Sequence, residues 1–213
     1  MNSRTFSLSD RIIGEIDRAI NVLWSPARSA RPSPMPTGGE LALDEEERRE
    51  SGRLMRVNHA GEVAAQALYR GQALTARDPT VSSAMRRAAG EEIDHLAWCE
   101  QRLQELNGRT SLLNPLWYLG SFAIGALAGI RGDRLSLGFI KETERQVESH
   151  LRDHMERLPA ADQRSRAILQ QMTHDEIGHG ETAAALGGGE LPFLVRRVMR
   201  LASRVMTRGS YWL

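Results

Sequence analysis

One unit occurs twice in this chain, and it constrains the fold more than any other feature. Glu92-Ile-Asp-His95 and Glu176-Ile-Gly-His179 each place a glutamate three residues before a histidine. On a helix, positions three apart share a face, so both side chains can meet one ion. Glu92 lies on the apolar stripe of Met85, Ala88, Ala89, Leu96 and Leu103; Glu176 lies on the stripe of Leu169, Met172 and Ala183. Carboxylates on the core side of a helix must be paired or bound to metal. One helical stretch upstream of each pair, another glutamate sits on an apolar face. Glu62 lies between Met55 and Tyr69, beside Ala65 and Ala73; Glu144 lies with Ile140, Val147 and Leu151. The intervals Glu62 to Glu92 and Glu144 to Glu176 are 30 and 32 residues.

A lone Glu-x-x-His is most often a pair of salt-bridged surface residues. Two copies, each preceded by an inward glutamate at matched spacing, instead form the ligand set of a carboxylate-bridged dinuclear site in a four-helix bundle. Four carboxylates carry a charge of −4, which two divalent ions neutralise. Without metal, four buried like charges repel and mostly protonate. Mixed carboxylate and imidazole ligands suit iron or manganese. Cys99 is the one cysteine, so thiolate clusters and intrachain disulfides are excluded.

The rest of the chain reads as helix and linker. Residues 9–24 carry Ile12, Ile13, Ile16, Ala19, Ile20 and Leu23 at helical spacing. Asp10, Glu15 and Asp17 interrupt them, so no signal-peptide core is expected. Residues 25–39 hold Pro26, Pro32, Pro34 and Pro36 and read as an extended strap. Asp44 caps a helix to about Ala76; Asp78-Pro79 starts a second that ends at Asn107-Gly108. A third helical stretch ends at Pro159, a fourth covers about 161–186, and a fifth covers about 192–208. No segment alternates with period two. The expected fold is all-α: residues 1–44 form an N-terminal helix and strap, and residues 45–213 form the bundle with its C-terminal helix.

Residues 110–130 contain no charge, which by length is enough to span a membrane. Spanning would separate Glu62 and Glu92 from Glu144 and Glu176, and the site could not assemble. The segment is therefore expected in the core or dipping partly into a membrane. The net charge of +1 gives no case for nucleic-acid binding. It hides an asymmetry: residues 190–213 alone carry five arginines and one glutamate. Leu194, Val195, Val198, Leu201, Ala202 and Val205 share one side there, the pattern of a helix lying on an anionic membrane.

The strings RVNHAGEVAAQALYRGQ (56–72), EEIDHLAWCEQRL (91–103), TERQVESHL (143–151) and HDEIGHGETA (174–183) resemble the demethoxyubiquinone monooxygenase family of ubiquinone biosynthesis. The likeness covers about residues 45–213, and the N-terminal helix and strap also resemble bacterial members. One departure is Leu151, where many members have tyrosine after the histidine. The resemblance implies a ferritin-like fold and two iron ions. Glu62 and His95 would serve one iron, Glu144 and His179 the other, and Glu92 and Glu176 would bridge. Glu148 is the rival to Glu144. Glu91 and Asp175 are candidates to accept hydrogen bonds from the ligating histidines. His150 is a candidate outer residue or proton relay; His59, His154 and His174 are expected to be structural or exposed, and Cys99 to fill core.

The implied reaction is O2-dependent hydroxylation of a polyprenyl benzoquinone precursor, with NADH as the implied reductant. No glycine fingerprint for a nucleotide fold is present. The implied setting is peripheral, on the cytoplasmic face of a bacterial membrane. The implied partners are other ubiquinone-biosynthesis proteins or a second copy of the chain. The rival functions are an iron store, a peroxidase or a tRNA hydroxylase on the same ligand set, and a metal-free bundle whose glutamates pair with arginines.

Overall fold

Local chemistry sets the helix starts. Asp44 accepts a hydrogen bond from Glu47 N, and the Glu47 side chain accepts one from Asp44 N. This reciprocal cap satisfies two donors that the first turn leaves free. Asp78 caps Thr80 N, with Pro79 as the first helical residue. In this computed structural model, residues 7–38 and 42–213 are described; the end of the proline-rich strap at residue 39 lies outside them. Among the described residues there are seven helices and no strand. They are α1 (Leu8–Trp24), α2 (Glu45–Thr75), α3 (Pro79–Glu105), α4 (Asn114–Ile130), α5 (Asp133–Arg157), α6 (Gln163–Ala185) and α7 (Phe193–Trp212).

The stretch expected to run unbroken to Pro159 is two helices, α4 and α5. The break is at Gly132, whose φ of +116° is open to glycine and strained for any other residue. Asp133 then accepts from Arg77 N and Asp78 N at 3.1 and 2.8 Å, tying the break to the α2–α3 turn. α7 also runs past the expected end at Arg208, to Trp212.

Helices α2, α3, α5 and α6 form the bundle that carries the doubled unit. Two apolar clusters fill it. One contains Leu54, Met55, Cys99, Leu103, Leu151, Leu169 and Met172. The other contains Tyr69, Met85, Ala88, Ala89, Ile140 and Ala183. On every one of the four helices the inward glutamate lies between residues of the first cluster and residues of the second. The carboxylates thus form a polar layer between two greasy ones.

The outer elements leave much of their apolar surface exposed. α1 docks through Ala19, Val22 and Leu23, and Arg70 grips Glu15 through two bonds of 2.9 and 2.8 Å. Of the apolar positions at helical spacing, Ala19 and Leu23 are packed, whereas Ile12, Ile13, Ile16 and Ile20 are exposed. α4 is not a buried core helix. Tyr118, Gly125, Ala128 and Gly129 are buried, whereas Leu112, Leu116, Leu119, Ile124, Leu127 and Ile130 are exposed on or beside it. On α7, Leu194, Val195, Val198, Leu201 and Val205 are exposed. Its far end is held by Trp117 Nε1 donating to Ser210 Oγ at 3.0 Å and by Leu112 N donating to Leu213 O at 3.0 Å. No described helix is long and apolar enough to cross a membrane.

Candidate metal centre

α2 supplies Glu62, α3 supplies Glu92 and His95, α5 supplies Glu144, and α6 supplies Glu176 and His179. All six sit in the layer between the apolar clusters, and all are buried. His95 Nδ1 lies 3.2 Å from Glu62 Oε2, 3.0 Å from Glu92 Oε2 and 3.4 Å from Glu176 Oε1. His179 Nδ1 lies 3.3 Å from Glu92 Oε1 and 3.3 Å from Glu176 Oε2. Glu92 and Glu176 therefore each turn one oxygen toward each imidazole. One ligand atom apiece from Glu62, Glu92, His95 and Glu176 falls within 4.8 Å of the others, and the same holds for Glu144, Glu176 and His179. Glu148, the rival to Glu144, lies outside the cluster. It is 30% exposed and pairs with Arg152 at 2.7 Å.

The far nitrogens of both histidines are also engaged. His95 Nε2 lies 2.9 Å from Asp175, and His179 Nε2 lies 2.7 Å from Glu91. A carboxylate accepts, so each Nε2 donates to its outer carboxylate, and each Nδ1 faces the carboxylate layer. With Nε2 engaged outward, Nδ1 is the nitrogen each ring would offer to a metal, giving up its proton as the cation binds. The sequence marked Glu91 and Asp175 for these contacts, and the pairing runs across the bundle between α3 and α6.

The electrostatics divide the four glutamates. Burial pushes the Glu62 and Glu144 carboxyls well above the usual range, and the neighbouring Glu92 and Glu176 charges add to it. Burial acts in the same sense on Glu92 and Glu176, but bonds from His179 and His95 outweigh it and hold both carboxyls low. Burial disfavours charge on the imidazoles. Asp175 and the surrounding glutamates nevertheless raise His95 well above its usual value, and Glu176 and Glu92 push His179 up to about 12.

This donor set fits a pair of metal ions. Glu144 Oε2 is buried without a hydrogen-bond donor, and Glu92 Oε1 has only His179 Nδ1 at 3.3 Å. An orphaned buried carboxylate oxygen is costly unless a cation meets it. Carboxylate oxygens with two imidazoles suit iron or manganese better than softer metals.

Sequence reasoning missed two contributors. Tyr69 was noted only as an apolar-stripe residue, but its hydroxyl donates to Glu144. A buried tyrosine needs a partner for its hydroxyl, and that was the available signal. Arg31, in the strap, reaches Asp175 at 2.9 Å, and no spacing rule marks such a contact. The other histidines stay outside the cluster. His154 Nδ1 donates to Asn58 Oδ1 at 2.8 Å, His59 Nδ1 accepts from Asn114 Nδ2 at 3.4 Å, and His174 is exposed. His150 stacks near His154 with ring centres 3.9 Å apart. Cys99 is buried against Met172.

The family model described as ubiquinone biosynthesis protein COQ7 matches residues 49–210. The 3-demethoxyubiquinol 3-hydroxylase of Azoarcus sp. (strain BH72) is 57% identical over 202 residues, which is 95% of this chain and 98% of the relative. The protein of the same name from Nitrosospira multiformis is 57% identical over 203 residues, with the same coverage. That of Nitrosococcus oceani is 54% identical over 214 residues and covers both chains completely. A bundle with this doubled ligand unit, matched from end to end by such relatives, belongs to the ubiquinone biosynthesis protein COQ7 family.

Proposed function

We propose that this chain hydroxylates the ring of a polyprenyl demethoxybenzoquinol in ubiquinone biosynthesis, using O2 at a carboxylate-bridged diiron centre. The observation that carries the reading is the pair of bridging-type carboxylates: Glu92 and Glu176 each offer one oxygen to each histidine. Glu62 and His95 would hold one iron, Glu144 and His179 the other, with Glu92 and Glu176 between them. Bound there, the iron pair supplies O2 reduction: one oxygen atom enters the ring and the other leaves as water.

The chain's own residues do the rest. Asp175 and Glu91 accept from Nε2 of the two rings, so Nδ1 is the nitrogen each would turn to iron. The Tyr69 hydroxyl fixes one oxygen of Glu144 and leaves Oε2 free for a cation. The apolar clusters above and below keep water from the carboxylate layer, which strengthens every charge interaction inside it. Two electrons must enter for each turnover, and the reductant proposed is NADH.

A polyprenyl quinone resides in a bilayer, and the exposed apolar side chains of α1, α4 and α7 support a peripheral position on a membrane. The arginines of α7 suit an anionic, cytoplasmic leaflet. The partners proposed are other ubiquinone-biosynthesis proteins or a second copy of the chain. The test is the quinone profile of a host lacking the gene. Accumulated demethoxyubiquinone should revert to ubiquinone with the wild-type chain and not with Glu62→Ala. Normal ubiquinone in the deletion, with no second hydroxylase present, would refute the assignment.

A further inference from the structure

The doubled unit makes the two halves of the centre alike in ligands, but their outer supports are unlike. On the His179 side, the far nitrogen meets Glu91, whose side chain is 51% exposed, and the ring meets Tyr69 edge-on with centres 6.0 Å apart. Among the described residues no arginine or lysine pairs with Glu91, in contrast to Asp175. On the His95 side, Asp175 is 12% exposed and held from three directions. Its Oδ2 accepts from His95 Nε2 at 2.9 Å and from Arg31 Nη1 at 2.9 Å, and its Oδ1 accepts from Gln171 Nε2 at 2.9 Å.

Arg31 comes from the strap, and the strap is itself clamped by the residue next to His95. Asp94 Oδ1 accepts from Ser29 Oγ at 2.9 Å and from Ala30 N at 2.7 Å. Asp94 Oδ2 accepts from Arg31 Nε at 2.6 Å. The Arg31 guanidinium lies 4.9 Å over the Trp98 ring, and that ring sits 5.5 Å from the His95 ring. One planar fork thus joins Asp94, Asp175 and Trp98. A guanidinium loses little freedom when it spans two carboxylates, because its donors are fixed in one plane. The bond from His179 to Glu91 instead competes with water at every moment.

We propose that the proline-rich strap latches one half of the centre. Through Arg31 it fixes the Asp175–His95 pair, so the metal position served by His95 exchanges slowly while the position served by His179 exchanges quickly. The inference rests on the diiron reading above. Arg31 is a positioning residue: it reaches the metal only through Asp175 and His95. Loss of an outer partner of a ligating histidine changes metal affinity by about 10- to 100-fold. Arg31 acts one step further out, so its removal belongs at the lower end of that range.

The test is metal release, read without turnover. The full-length chain is loaded anaerobically with Fe2+ and mixed with excess ferrozine, and chelate formation is followed by absorbance. Wild type should release two irons in two equal phases about 10-fold apart in rate. Arg31→Gln should speed the slow phase about 10-fold, so that it merges with an unchanged fast phase. Glu91→Gln should speed only the fast phase. Both side chains are solvent-accessible, and circular dichroism confirms the fold of each variant. A single phase from wild-type protein holding two irons overturns the latch, as does an Arg31→Gln protein whose slow phase is unchanged or whose two phases speed equally. A wild-type chain that takes up no Fe2+ overturns the diiron reading itself.

Discussion

Two glycines on α4 should respond in opposite directions to the same substitution. Gly120 is exposed, and a Cβ there would meet nothing within 4 Å. Replacing glycine by alanine in a helix interior stabilises by about 1 kcal/mol, because alanine has less freedom to lose on folding. Gly120→Ala should therefore raise stability by about 0.5–1 kcal/mol. Gly125 lies against α2. A Cβ there would sit 3.0 Å from Leu68 C and 3.1 Å from Leu68 Cα, and closer still to the Leu68 carbonyl oxygen. Backbone cannot rotate away as a side chain can, so α4 must lift off α2. Overpacking of this kind costs about 1–3 kcal/mol, and a clash with a carbonyl belongs at the upper end. Subtracting the alanine gain leaves Gly125→Ala destabilised by about 2 kcal/mol. For a chain of this size that is a fall of about 4–8 °C in Tm, against a rise of about 1–4 °C for Gly120→Ala. Thermal unfolding followed by circular dichroism at matched metal load reads both. A Gly125→Ala protein as stable as Gly120→Ala would refute the close approach of α2 and α4, and with it the account of which α4 face is left exposed.

Other perturbations address the site and its surroundings. Tyr69→Phe removes the donor to Glu144. Competition titration should show iron held about 10-fold more weakly, with the fold intact. Burial lowers His59 to about 4; burial, His150 and Arg157 lower His154 to about 2. Because the unfolded chain takes up those protons first, stability is full above the unfolded pKa of 6.5 and is lost as pH falls below it. By pH 5.5 His154 alone should cost about 1.4 kcal/mol, so the change in urea stability between pH 7.5 and 5.5 should be less unfavourable by about that amount in His154→Gln than in wild type. A chain ending at Gly189 lacks α7 and should co-sediment less with anionic liposomes than the full chain. Equal binding would reject α7 as the main anchor.

The four site helices were legible because two signals coincide in them. Apolar residues recur at helical spacing, and glutamates interrupt the apolar face where only pairing or metal makes them tolerable. Asp44 and Asp78-Pro79 mark starts by capping chemistry that is purely local, and the structure begins α2 and α3 there. What was not legible depended on contacts between distant residues. The break at Gly132 sits in a run that stays helix-compatible on both sides. Its stability comes from Asp133 reaching a turn 55 residues earlier. Residues 110–130 announce apolarity but carry no periodicity, so the sequence shows that α4 is greasy without showing which side α2 covers. The isoleucines of α1 share a face in the sequence, yet its orientation is set by the Glu15–Arg70 pair. Arg31 lies in a strap without periodicity, and both of its carboxylate partners lie on other elements. Chemistry repeated on regular helices is readable from spacing; chemistry delivered by an irregular segment is not.

The central claim is that six side chains hold two irons which support ring hydroxylation. The most direct measurement is iron bound per chain after anaerobic Fe2+ loading, made on the same samples as turnover of a demethoxyubiquinol under O2. The account predicts about two irons per wild-type chain with hydroxylated product, and loss of both in a Glu176→Ala protein that remains folded. A folded wild-type chain that binds no iron, or a Glu176→Ala chain that keeps two irons and full turnover, would contradict it.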